Sequence, residues 1–421
     1  MNAFPATNSV VILLSLSLAL LLSACCPLSI SGRKTSGTNA TGTPKPTEAT
    51  AEAQPPGQPA PRERGYIEQA AFSPDGSRVA LAGSLGIWLV ETDNAGSLRL
   101  LAGHAKGAST VAWSPDGTML ASGGAWNDGT VRVWDAGSGR QLQVLEAPAQ
   151  LIRGLSWSPD GASLAVGLAK AGDNTVWIWD VGTGKVLRVL KGHTDNVTIT
   201  AWSPDGTRLA SADYDGRLRV WDVGSGRKRH EFRHFDGVFN LAWSPDGQMI
   251  AEATGAREGK VRVWDVSGGL KLRRERYAFA GYKGNRQRTQ IAWSPDGRLL
   301  ATAAESGLVT VWSIAHGGTL RHLQGNHEQM VTTIAWSPEG TELASGDYRG
   351  TIKIWDIVGR QAGRTLPAPT FRAGKRWPVT VMSWLPSGTL LAFGTERSGA
   401  WVDAINGDRE RVLELTGFDE Q

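Results

Sequence analysis

The sequence predicts an all-β chain built from eight copies of one four-stranded unit. Three observations predict it. An aromatic residue followed by Ser-Pro-Asp-Gly occurs at Phe72, Trp113, Trp157, Trp202, Trp243 and Trp293, with Ser-Pro-Glu-Gly after Trp336 and Leu-Pro-Ser-Gly after Trp384. A second marker trails each by about 20 residues, and self-similarity at such a fixed period signals a repeat architecture. It is Trp134-Asp135, Trp179-Asp180, Trp221-Asp222, Trp264-Asp265 and Trp355-Asp356, with Trp312-Ser313 as a departure and only Trp88 and Trp401 in the outer copies. Finally, the residues between markers alternate between short apolar runs and turn-forming clusters.

The copy at residues 108–147 shows why one unit has four strands. Thr110-Val111-Ala112-Trp113 is a short β-type run. Ser114-Pro115-Asp116-Gly117 then suits a type I turn, because proline pre-sets φ, aspartate tolerates the next position and glycine leaves the turn without a steric penalty. Met119 to Ser122 forms the second strand, and Asp128-Gly129 turns the chain into Thr130-Val131-Arg132-Val133-Trp134, which alternates with period two. Gly137-Ser138-Gly139 makes the last turn before Gln141 to Leu145. Four such antiparallel strands make one propeller blade.

The paired markers resemble those of the WD-repeat β-propeller family, and the likeness covers residues 66–416. Each end of the repeat carries a full set of strands, with none to spare. The expectation is therefore eight whole blades closed by blade one packing on blade eight; seven blades plus an irregular terminal sheet is the alternative. The resemblance also implies a hydrogen-bonded tetrad inside a blade, made of a His before the first strand, a Ser or Thr on the second, an Asp before the third and the marker Trp. It assigns His104, Ser122, Asp128 and Trp134 in blade two, and His193, Ser211, Asp215 and Trp221 in blade four. His234 and His327 keep the spacing in blades whose other positions depart: Glu252 and Glu258 replace the Ser and Asp of blade five, and Arg349 the Asp of blade seven.

Ahead of the repeat, residues 10–22 are an apolar run broken only by serines, too short to span a bilayer and of signal-peptide length. It ends in Leu22-Ser23-Ala24-Cys25, which resembles the bacterial lipobox, although no Lys or Arg precedes Val10. That resemblance implies cleavage before Cys25, lipidation of its thiol and a chain exported and lipid-anchored to the cell membrane on its extracytoplasmic side. Two acyl chains on one cysteine suffice for stable anchoring. Cys25 and Cys26 are the only cysteines, so the repeat region has no disulfide, thiolate nucleophile or Cys-based metal site. The division expected is a signal peptide at 1–24, a lipidated N-terminus and disordered Pro/Thr/Gly-rich tether at 25–65, and the propeller at 66–417. A flexible tether of about 35 residues reaches roughly 30 Å.

Enzyme signals are missing: there is no Gly-x-Ser-x-Gly elbow, no His-Glu-x-x-His helix and no glycine-rich strand-to-helix loop. The His, Ser and Asp sets are better explained by buried polar groups satisfying one another than by hydrolysis. Asp213-Tyr214-Asp215-Gly216 faintly resembles a calcium loop but lacks the remaining ligands. No metal, cofactor or catalytic residue is assigned.

Surface remains. In the family the loops before the first strand and between the second and third strands gather on one face. There the sequence places Trp126, Tyr214 and Phe235 in blades two to five, Arg257, Tyr282, Arg286 and Arg288 around blades five and six, and Tyr348, Arg349, Arg376 and Trp377 around blades seven and eight. Aromatic and Arg side chains are the types that dominate interface hot spots. A formal net charge of +4 is too small to argue for nucleic acid. Lys271, Arg273, Arg274 and Arg276 concentrate positive charge locally, which suits either an anionic surface partner or protection of an outer strand. The function expected is a non-enzymatic, membrane-tethered platform for other proteins or peptides. The alternative is a small-molecule or metal site at the central channel.

Overall fold

The structure, a computed structural model, describes residues 67–415 except 93–97, 170–173, 256–258, 269–273, 281–288, 317, 324–326, 360–362, 367–376, 397–398 and 407, with backbone alone at 274–280, 318 and 395–415. The described residues form eight four-stranded antiparallel sheets, each with its strands in chain order. These are blades one to eight, spanning 67–101, 108–146, 151–190, 197–233, 238–280, 290–322, 331–366 and 379–415.

First and second strands are largely buried, as in Ala108–Trp113 and Met249–Thr254, whereas fourth strands such as Val186–Leu190 are largely exposed. First strands of successive blades lie against one another around the ring, including those of blades one and eight. That seam has its own core: Phe72, Leu81 and Trp88 of blade one pack with Val381, Leu391 and Phe393 of blade eight. The ring therefore closes by blade-on-blade packing, with eight whole blades.

The first marker is a self-contained turn. Ser114 donates its hydroxyl to Asp116 at 2.6 Å and accepts the Met119 N–H at 2.9 Å, while Asp116 also accepts the Thr118 N–H. Gly117 follows at φ 71°, in the left-handed region that favours glycine. The same ring of bonds recurs at Ser158, Ser203, Ser244 and Ser294. Burial raises the Asp116 carboxyl, but the Ser114 hydroxyl and the Thr118 N–H outweigh it and hold the group below its ordinary range.

The marker tryptophan does a different job, between blades. Trp113 donates its indole N–H to the carbonyl of Ala71 in the preceding blade at 2.9 Å. Trp157, Trp202, Trp243, Trp293, Trp336 and Trp384 repeat the bond to Ala112, Ser156, Ala201, Ala242, Ala292 and Ala335. Blade one has Phe72 at this position, so the seam with blade eight is the one junction whose marker aromatic has no N–H to donate.

Candidate interaction face and the buried relays

Because strands alternate in direction, the loop between second and third strands shares an end with the connection entering the first strand. Backbone hydrogen bonds tie these loops together: Ala125 to Gly107, Asn127 to Gln150, Tyr214 to Asn196, Gly255 to Gly237 and Tyr348 to Met330. This end is opposite the Ser-Pro-Asp-Gly turns. Asn127 lies at φ 63°, a left-handed conformation that asparagine tolerates better than most residues.

Among the described residues, the three most exposed aromatic side chains of this end are Phe235 at 92%, Trp126 at 60% and Tyr348 at 54%. Arg349 is exposed beside Tyr348. Tyr214 is half-buried and packs edge-on against Phe239, with ring centroids 5.8 Å apart. Phe239 was not singled out by sequence reasoning, yet it belongs to the face. It is the extra residue of a bulge where the first strand of blade five starts. The equivalent bulge residues Ser109, Thr198 and Thr332 use their hydroxyls to bond carbonyls of the next blade, Ile152, Val238 and Val379. A phenylalanine there has no such bond to make and is 39% exposed. That break in a repeated polar position was the signal available in the sequence.

Trp377 is corrected. It is only 9% exposed and packs with Ile352, Ile354 and Val379 in the core between blades seven and eight, so it is a wall of the ring and not an exposed aromatic of the loop end. Arg257, Tyr282, Arg286, Arg288 and Arg376 lie outside the described residues, as do Lys271 and Arg273; Arg274 and Arg276 are described by backbone alone. Cys25 and the tether also lie outside them.

Inside the blades, buried polar side chains form relays. In blade two, Trp134 donates to Ser122 Oγ at 2.8 Å, Ser122 meets His104 Nε2 at 2.7 Å, and His104 Nδ1 lies 3.2 Å from Asp128. The Asp128 carboxylate can only accept, so Nδ1 carries a proton; Nε2 is then the ring nitrogen that accepts the Ser122 hydroxyl, whose oxygen accepts from the indole. This needs a neutral imidazole. Burial lowers the His104 pKa, and the opposing pull of Asp128 does not offset it.

Blade four has the same relay with a different acid. His193 Nδ1 meets Asp213 at 2.7 Å and Nε2 meets Ser211 at 2.6 Å, with Trp221 donating to Ser211 at 2.8 Å. Asp215, the residue assigned from spacing, is exposed and accepts the Thr194 hydroxyl instead. Asp213 ends the second strand with its side chain wholly buried, and its other oxygen accepts the Arg217 N–H. Blade seven is corrected in the same way. His327 bonds Ser345 at 2.6 Å and Asp347 at 3.0 Å, and Trp355 donates to Ser345, so this relay is complete and Arg349 takes no part through its side chain. In blade five, Glu252 stands in for the serine: Trp264 donates to its Oε1 at 2.9 Å, and His234 Nε2 lies 2.8 Å from the same oxygen. Glu258 lies outside the described residues.

Ser122, Ser211 and Ser345 are all 0% exposed and hydrogen-bonded to histidine inside a packed blade, so no substrate carbonyl can reach them. The relays are structural. By register the serine position of blades one, three and eight is Leu81, Val166 or Ala392, each fully buried. Replacing every partner by apolar groups avoids the penalty of an unpaired one. Among the described residues no cluster of His, Cys, Asp and Glu could hold a metal ion, and no helix is long and apolar enough to cross a membrane.

Eight four-stranded blades, indole bonds between them and His-Ser-Asp-Trp relays within them define a WD-repeat β-propeller. The family described as IFT122 first beta-propeller matches residues 151–399, more than half of the chain, and the chain belongs to it. The WD domain, G-beta repeat family matches residues 96–135. Among curated proteins the chain is similar to Protein groucho of Drosophila melanogaster, 36% identical over 104 residues. It is also 55% identical over 47 residues to small ribosomal subunit protein RACK1z of Arabidopsis thaliana. These alignments cover 22% and 11% of this chain, and 14% of each relative's own length. The crystal structure of the computationally designed Ika8 protein matches with a TM-score of 0.64 at 26% identity, over 82% of this chain and 97% of that one.

Proposed function

We propose that the chain is a non-enzymatic protein-interaction platform, tethered by lipid on Cys25 to the outer side of the cytoplasmic membrane. The observation that carries the reading is the loop end of the ring, where Phe235, Trp126 and Tyr348 are exposed on a rigid scaffold. Large aromatic side chains held in place lose little entropy when a partner covers them, which suits them to recognition. The plant relatives are by name small ribosomal subunit proteins, so a similar repeat there forms part of an assembly. The tether reading rests on the short apolar run, on Leu22-Ser23-Ala24-Cys25 and on the Pro- and Thr-rich stretch that follows.

The test is capture from detergent-solubilised native membranes with the full-length chain and with a variant carrying Trp126→Ala, Phe235→Ala and Tyr348→Ala. A protein retained by the first and lost by the still-folded variant supports the platform and its face. Equal retention by both removes the face from the reading. Cys25→Ser is expected to release the chain into the soluble fraction; unchanged membrane association would refute the lipid tether.

A further inference from the structure

At the opposite end of the ring, the fold repeatedly plugs the cleft between neighbouring blades with its own arginine. Arg78 of blade one donates to the Ala136 carbonyl of blade two at 2.9 Å, and Arg99 donates to Gly137 at 2.8 Å. Arg188 of blade three reaches Gly224 of blade four at 2.7 Å. Arg208 of blade four bonds the Val266 and Gly247 carbonyls of blade five, and Arg321 of blade six bonds Asp356 of blade seven. Register shows that these arginines come from two positions. Arg78 and Arg208 open the second strand, opposite Glu91 and Asp222. Arg99, Arg188 and Arg321 lie on the fourth strand, opposite Leu89, Ile178 and Val311.

Blade two has arginine at neither position. Met119 opens its second strand opposite Asp135, and Gln143 lies opposite Val133 on its fourth. The consequence is an open groove of about 540 Å³ between blades two and three, with Met119 and Leu142 on one wall. Its other wall holds Gly161, Val181 and Gly182, the counterparts of the residues whose carbonyls take arginine elsewhere: Gly247, Val266 and Gly224. Among the described residues no backbone N–H donates to the carbonyls of Gly161, Val181 and Gly182. Asp180 lines the same groove, with its Oδ1 held by the N–H and hydroxyl of Thr183. Arg140 also lines the groove, but it occupies the turn position of Lys185 and Arg227, exposed like them, and not a plugging position.

We propose that this groove is a socket for an arginine side chain supplied by a partner protein. The methylene stem lies on Met119 and Leu142, and the planar guanidinium presents its fan of N–H donors to the three carbonyls and the Asp180 carboxylate. That donor pattern fits several acceptors at once, which a lysine ammonium or an apolar side chain cannot match. The proposal depends on the platform reading only in that the arginine belongs to another chain.

The test uses the full-length chain and a capped tripeptide, acetyl-Gly-Arg-Gly-amide, beside its citrulline analogue, which keeps the shape and loses the charge. Binding is followed by saturation-transfer NMR of the peptide. The arginine peptide is expected to bind at least tenfold more tightly than the citrulline peptide. Met119→Arg and Gln143→Arg, each of which gives blade two a plug that other blades already have, are each expected to abolish that binding. No preference for arginine, or binding retained in both folded variants, overturns the proposal. Loss of binding in the Trp126, Phe235 and Tyr348 variant instead would move the site to the loop end, overturning the socket while leaving the platform standing.

Discussion

The aspartates of blade four show how two residues in one short loop can have opposite worth. Asp213 is fully buried and satisfies both the His193 imidazole and the Arg217 N–H, whereas Asp215 is exposed and bonds only a threonine hydroxyl. Asp213→Ala leaves a buried imidazole N–H and a backbone N–H unpaired, which should cost about 2 kcal/mol or more. Asp215→Ala should fall within about 0.5 kcal/mol of the parent, as surface substitutions usually do. Urea midpoints of the two variants decide it, and equal losses would contradict the assignment. Histidine, serine and tryptophan were legible because each sits at a fixed distance from a marker. The acid was not, because both Asp213 and Asp215 lie near the turn, and only the course of the backbone decides which carboxylate points inward. Trp377 was misplaced for a related reason: lying before a first strand does not determine whether a large aromatic caps the core or leaves it.

In the blades that carry one, the buried relay makes stability depend on pH. Burial lowers the pKa of His104 and His193 in the folded chain below the ordinary 6.5, more than their aspartates raise it. With the folded values depressed, the unfolded chain binds these protons first. The contribution is therefore complete above pH 6.5 and is lost as pH falls below it. The turn carboxylates of Asp116 and Asp205 are also held low, but against an ordinary value of 3.8, so they act only in a more acidic window. Thermal midpoints are expected to fall between pH 7.5 and 5.5, and the fall should shrink when His104 and His193 are both changed to Asn. A midpoint independent of pH across that range would exclude the neutral relay. Strand number and order in each blade were legible from turns and period-two runs. Blade seven's complete relay was not, because Arg349 drew attention to the turn while Asp347, two residues earlier, ends the strand.

A ring of repeats couples each blade to two neighbours, so the weakest junction sets where it opens. Seven junctions carry an indole N–H from a marker tryptophan to the carbonyl of the preceding blade, and the seam between blades eight and one has Phe72 in that place. One missing bond is worth about 1 kcal/mol, enough to change the population of a local opening several-fold. Among the described residues no strand is exchanged across the seam to compensate, since blade one pairs only its own four strands and blade eight only its own. What holds it is apolar packing of Phe72, Leu81 and Trp88 on Val381, Leu391 and Phe393. Hydrogen exchange should therefore be faster in the first strand of blade one, Ile67–Phe72, than in that of blade four, Val197–Trp202. Phe72→Trp, which can donate to the Ser383 carbonyl as its seven counterparts do to theirs, should narrow the difference. Equal protection of the two strands in the parent chain would mean that packing alone makes the seam as strong as the rest. The indole bonds would then be a consequence of blade packing and not a source of its strength.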